Sequence, residues 1–186
     1  MPQSIEFTLS SASGRDCARA PFICFSHLRW DFVLQRPQHL MERFHRRHDV
    51  TFWEEPLAPD DGAPEGLQLR ACARTGVTIA TPRLPDHLQG LAREDALRQL
   101  LDDYAATLRG EITVWYYTPM MLPFSRQLAS RCVVYDCMDE LANFKFAPPE
   151  LLELETELLA KADVVFTGGY SLYEAKRDRH RNIHPF

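Results

Sequence analysis

Short apolar runs alternate with amphipathic stretches along most of this chain. Phe22–Phe25, Val50–Trp53, Ile112–Tyr116, Cys132–Tyr135 and Val164–Thr167 are rich in β-branched and aromatic residues, which predicts strands. Between them, Leu40, Met41 and Phe44 share one helical face in a helix expected to start at Pro37. Leu97, Leu100, Leu101, Tyr104 and Leu108 do so over Arg93–Leu108, and Leu151, Leu154 and Leu158 after Pro148 and Pro149. A shorter helix is expected at 118–124. Leu67–Cys72 and Val77–Ala80 read as a hairpin, and TPRLP at 81–85 is expected to end regular structure. Gly168 and Gly169 lead into Ser171-Leu172-Tyr173-Glu174, the spelling of a capping box, and the last residues resemble the start of one more strand. Alternation of this kind predicts an α/β fold: a Rossmann-like, doubly wound, mostly parallel sheet with helices on both faces. Residues 1–19, rich in Ser and Ala, read as a flexible leader, and 20–186 as one domain.

Composition narrows the classes. With 186 residues, 45% of them hydrophobic and 25% charged, the chain can bury an ordinary core. A net charge of -5 argues against a nucleic-acid partner. Five cysteines without a CxxC pair favour reduced thiols over a disulfide framework, and their spacing predicts no metal site. No stretch has the length of an apolar membrane span or the core of a signal peptide, so a cytoplasmic protein is expected. Arg43, Arg46 and Arg47, and the tail Lys176, Arg177, Arg179 and Arg181, are the residues through which peripheral contact with the inner membrane face can occur; a solvated face is the plainer reading.

In a parallel sheet, ligands gather beyond the carboxyl ends of the strands. The first strand is followed there by a loop, 26–36, without a single glycine, so it must grip with side chains: His27, Arg29, Trp30, Gln35 and Arg36. His27 can orient or deprotonate a hydroxyl, or simply tie down the loop. Trp30 can stack on a sugar or cover the sheet edge. Glu54, Tyr117 and Thr118 stand at further strand ends. Asp136, Asp139 and Glu140, placed just past a strand end, offer carboxylates for general base chemistry, with Asp136 as a turn cap the plainer alternative. Gly168, Gly169 and Ser171 form a strand-to-helix turn that can let an anion approach backbone N–H groups.

Four stretches, SHLRWDFVLQRPQHL (26–40), VWYYTPMMLPF (114–124), VVYDCMDEL (133–141) and ADVVFTGGYSLYEAKR (162–177), resemble the N-terminal half of bacterial GT-B glycosyltransferases of the teichuronic-acid and capsule type. The resemblance implies an acceptor-side domain acting with a C-terminal domain, absent from this chain, that holds a nucleotide sugar, most commonly a UDP-sugar. It implies a glycan or lipid-linked glycan as acceptor, with Asp136, Asp139 and His27 as the acceptor-side catalytic candidates. No cofactor is expected in this domain. Related modules are similar to ones joined to UDP-galactopyranose mutase, yet no Gly-rich flavin fingerprint follows the first strand. A non-catalytic module that binds a glycan or a protein is the alternative of a different class.

Overall fold

The computed structural model describes residues 19–140 and 149–186. The expected leader, apart from Arg19, and Pro148 therefore lie outside the described residues. In chain order the elements are β1 (Ala20–Phe25), α1 (Arg36–Phe44), β2 (His48–Trp53), β3 (Gly66–Ala71), β4 (Thr78–Arg83), α2 (Gly90–Ala105) and β5 (Thr113–Tyr116). A 3-10 turn at Pro119–Met121 runs into α3 (Leu122–Ser125). Then come β6 (Cys132–Cys137), α4 (Leu151–Lys161), β7 (Val164–Thr167), α5 (Tyr170–Lys176) and β8 (Ile183–Pro185).

Among the described residues the strands form one eight-stranded sheet in the order β3-β4-β2-β1-β5-β6-β7-β8. Every pairing is parallel except β3 with β4, where the expected hairpin forms. The strand order reverses direction at β1, which has β2 on one side and β5 on the other. That junction is the switch point at which open α/β sheets leave a crevice.

Period-two alternation divides the core between the two faces. Ile23, Phe25, Val114, Tyr116, Val133, Tyr135 and Val165 point to one face, where Leu97 and Leu101 of α2, Leu122 and Phe124 of α3 and Leu158 of α4 cover them. Phe22, Cys24, Phe52, Ile79, Trp115 and Val134 point to the other, under Met41 of α1 and Trp30. Helices thus lie on both faces, as the alternation predicts.

Several local expectations are corrected. Helix α1 begins at Arg36, one residue before Pro37, and Gln35 and Gln38 form a reciprocal capping box there. Helix α2 starts earlier than Arg93 and ends at Ala105. Strand β4 runs through Pro82 instead of stopping at Thr81; the Pro82 carbonyl still accepts from Leu57 N at 3.0 Å, beyond the last β2 pairing at Ala80. The Ser171 capping box does not form: Gly169, at φ 126°, is the N-cap of α5, and Ser171 falls inside the helix. Strand β6 continues two residues past Tyr135, so Asp136 is part of the strand and not of the loop.

Candidate functional site

The rim of the sheet is built from strand ends that continue their ladders outward. Ser26 N donates to Trp53 O at 3.0 Å, Tyr117 N to Phe25 O at 2.9 Å, and Gly168 N to Cys137 O at 2.8 Å. These bonds fix where His27, Thr118, Met138 and Gly169 leave the sheet.

The glycine-free loop after β1 is held by two buried polar side chains. Glu54 receives Trp30 N at 2.8 Å on one carboxylate oxygen, and Thr81 Oγ1 at 2.8 Å and Arg29 at 3.2 Å on the other. Gln38 donates to the carbonyls of Arg29, Trp30 and Val33 at 3.0–3.3 Å and accepts Gln35 N at 3.0 Å. Glu54 and Gln38 act here as anchors of the loop. Trp30 is buried against Phe52, with ring centroids 5.0 Å apart, which places it in the core and covers the sheet. Gln38 escaped the sequence reading, although the QRPQ spelling, with Gln at the third helical position, carries the signal.

Arg36, at the first turn of α1, is paired with Asp136 and lies 4.3 Å from the centre of the Phe186 ring. A cation at a helix N-terminus opposes the macrodipole, so a carboxylate is needed to hold it there. Asp136 is 0% exposed, and burial raises its carboxyl to about 6, with the Arg36 guanidinium pulling the other way. Its second oxygen and the buried Tyr117 hydroxyl lack partners of hydrogen-bonding geometry among the described residues. Burial, with Cys24 and Asp136 adding to it, pushes Tyr117 well above an ordinary phenol. Beneath this pair lies an apolar cavity of about 150 Å³ lined by Leu40, Phe44, Trp115, Phe166 and Phe186 besides Asp136.

His27 stands at the switch point, half-buried, with Nδ1 enclosed and unpartnered among the described residues. Burial lowers its pKa below 6.5 and the charge of Asp139 raises it in part, so the imidazole is neutral at physiological pH. Asp139 itself is exposed. The two groups stand past the carboxyl ends of β1 and β6, near enough for the Asp139 charge to act on the imidazole.

The remaining candidates are held in local roles. Glu140 is tied to Lys176 at 2.9 Å, and Lys176 in turn to Glu155 at 2.8 Å, with Arg179 on the other Glu155 oxygen at 2.8 Å. Lys176 is buried, so the basic tail does not present it to a surface. Thr118 is buried and caps the following 3-10 turn by accepting Met120 N at 3.3 Å. Ser171 is exposed on a short helix. Among the described residues no group of three or more His, Cys, Asp or Glu side chains is arranged to hold a metal.

Gly168 has a steric reason to be glycine. A Cβ there would stand 2.1 Å from the Met138 carbonyl oxygen, which is backbone and cannot rotate away. Gly168→Ala is expected to push the β6 and β7 ends apart at a cost of about 2 kcal/mol, in the range of overpacking. Chemical denaturation measures this; an unchanged midpoint would show that the two turns are free to separate.

No protein-family model matches the chain, and no curated protein matches it by sequence. Solved structures do match. An α,α-trehalose-phosphate synthase (UDP-forming) from Burkholderia vietnamiensis superposes with a TM-score of 0.53 at 15% identity, covering 86% of this chain and 41% of that one. The E. coli structure described as trehalose-6-phosphate bound with UDP-2-fluoro glucose gives 0.52 at 11% identity, covering 79% and 39%. The α,α-trehalose 6-phosphate synthase of Burkholderia multivorans gives 0.50 at 16%, covering 87% and 41%. The chain spans about two fifths of the length of these structures. At such identities the likeness is one of fold, and the chain has the Rossmann-like fold found in GT-B glycosyltransferases.

Proposed function

We propose that this chain is the acceptor-side domain of a GT-B glycosyltransferase that moves a sugar from a nucleotide donor to a hydroxyl of a glycan or lipid-linked glycan. The observation that carries the reading is His27, half-buried at the β1/β5 switch point with Nδ1 enclosed and unpartnered among the described residues, and within reach of the Asp139 charge. In this reading the acceptor hydroxyl lies against His27. Its oxygen attacks the anomeric carbon, the bond from that carbon to the nucleotide phosphate breaks, and the imidazole takes the proton. Asp139 steadies the imidazolium that forms. If configuration is retained, His27 positions the hydroxyl and a dedicated base is not required. Arg36, held by Asp136, contributes a fixed cation behind the acceptor. Glu54 and Gln38 keep the loop in place.

The donor, a UDP-sugar by preference, belongs in this proposal to a second domain. The two-fifths coverage of the matched structures supports that division. A half-cleft cannot preorganise both substrates, so the domain alone is expected to be inactive. Polysaccharide assembly at the cytoplasmic face of a membrane is the setting that the teichuronic-acid and capsule resemblance suggests.

Calorimetric titration of UDP and UDP-sugars into this domain and into the full gene product tests the division. Binding by the full product alone is the expected result. Tight binding by the domain alone would reverse the donor and acceptor sides, and binding by neither would favour the non-catalytic glycan-binding alternative.

A further inference from the structure

The packing of α1 on the sheet leaves a space. Leu40 and Phe44 of the helix, Trp115 of β5, Asp136 of β6, Phe166 of β7 and Phe186 enclose the apolar cavity of about 150 Å³. Four aromatic rings wall it in sequence. Phe44 and Trp115 stand 5.5 Å apart between centroids, Trp115 and Phe166 5.7 Å, and Phe166 and Phe186 6.0 Å. Two of the lining side chains carry buried polar atoms that nothing among the described residues answers. Asp136, 0% exposed, has Oδ2 without a partner, and Trp115, 6% exposed, has Nε1 without one. The indole is close enough to the carboxylate to help hold its charge. A buried acceptor and a buried donor beside an apolar space cost free energy until a guest meets them.

The chemistry of the walls selects the guest. One hydroxyl satisfies both polar atoms, donating to Asp136 Oδ2 and accepting from Trp115 Nε1. Water carries such a hydroxyl, but a water fills only about 30 Å³ and the apolar remainder gains nothing from it. An apolar cavity of this volume takes a guest of about benzene's size. The guest is neutral, because Asp136 already has its counter-charge in Arg36, and a further charge would be buried unpaired. A hexose is excluded by its many hydroxyls: with these two polar side chains alone among the lining residues, the rest would be stranded. We propose that the cavity is a binding site for a small neutral aromatic alcohol, a phenol-sized ring whose hydroxyl sits between Asp136 and Trp115. The aromatic walls supply edge and face contacts to the ring. The site is separate from the acceptor sugar and rests on the cavity alone, not on the reading of sugar transfer.

The probe is phenol, with toluene as the same shape without the hydroxyl, titrated into the isotopically labelled chain and, in parallel, into the full gene product. The readout is the indole N–H resonance of Trp115, identified by its loss in Trp115→Phe. Phenol is expected to shift it saturably in both proteins. Its affinity should exceed that of toluene about tenfold or more, the scale of one hydrogen bond to a charged group. Leu40→Phe, which fills the cavity from α1, should abolish the shift with either probe. Circular dichroism checks that this variant keeps the parent fold; if it does not, the comparison of probes on the parent decides. Absence of a saturable shift overturns the proposal and leaves the cavity to water. Equal affinities for phenol and toluene overturn it too, since the polar pair would then go unread, and so does a shift that persists in folded Leu40→Phe. Binding by the chain but not by the full gene product would show that another part of the protein fills the space, and it equally overturns the proposal. None of these outcomes touches sugar transfer, and an inactive enzyme leaves the phenol result standing.

Discussion

Replacing His27 with Ala in the full gene product is expected to lower kcat by about a hundredfold or more, the scale of a lost general base. Burial holds the imidazole pKa below 6.5, so the parent should keep its rate as pH falls to the mildly acidic range and lose it only when the ring protonates. Asp139 supplies the sign of a second, more discriminating result. Its negative charge favours the imidazolium and raises the His27 pKa. Asp139→Asn should therefore move the acid limb of the kcat/KM profile to lower pH, while also reducing kcat because the imidazolium is less well supported. A limb that stays in place would mean that the group titrating in the profile is not His27. Full activity of His27→Ala would leave this residue as an anchor of the loop.

The strands that could be read from sequence are those whose every residue agrees with the strand state. Phe22–Phe25 is apolar and buried on both sides of the sheet, Ile112–Tyr116 is so apart from Thr113, and Val164–Thr167 alternates between half-buried and buried; β1, β5 and β7 fall there to within a residue or two. The errors lie where a residue's local preference is overruled by a partner distant in sequence. Asp136 looks like a turn residue because aspartate is poor in strands, yet Arg36, a hundred residues earlier, holds its carboxylate inside β6. Pro82 looks like a stop, but it occupies a position in β4 that still accepts a bond from Leu57. Ser171 fits the spelling of a cap; the positive φ of Gly169 starts the helix two residues sooner.

The site shows the same division. That His27 and Asp139 both stand past carboxyl strand ends follows from the alternation of strands and helices alone. That Trp30 is core and Phe32 is exposed does not, because both are aromatic residues in one loop. The difference is made by Glu54, which draws the Trp30 amide inward, a contact across 24 positions that no local pattern encodes. Lys176 likewise reads as a member of a basic tail until Glu140 and Glu155 are seen around it.

Asp136→Asn should change the pH dependence of stability more than any other single substitution at the rim. The carboxyl is raised from 3.8 to about 6 in the folded chain, so the folded state binds a proton that the unfolded state releases. Its contribution is fully present below 3.8, is lost as pH rises through about 6, and is constant above that. Over that window the parent should lose about 3 kcal/mol that the neutral Asn variant does not lose, since a shift of about two units is worth that much. The variant's stability relative to the parent is therefore best above the window and poorest below it, as denaturation at a series of pH values would measure. The opposite slope would mean that Arg36 outweighs burial and keeps the carboxylate ionised at low pH. The Asn carbonyl can still accept from Arg36, but it no longer offsets the guanidinium charge at the start of α1. Arg36 should then lose its fixed orientation, raising KM for the acceptor several-fold while the acid limb set by His27 stays where it was. A fall in kcat with no change in KM would instead place Asp136 in the chemistry, which its complete burial behind Arg36 argues against.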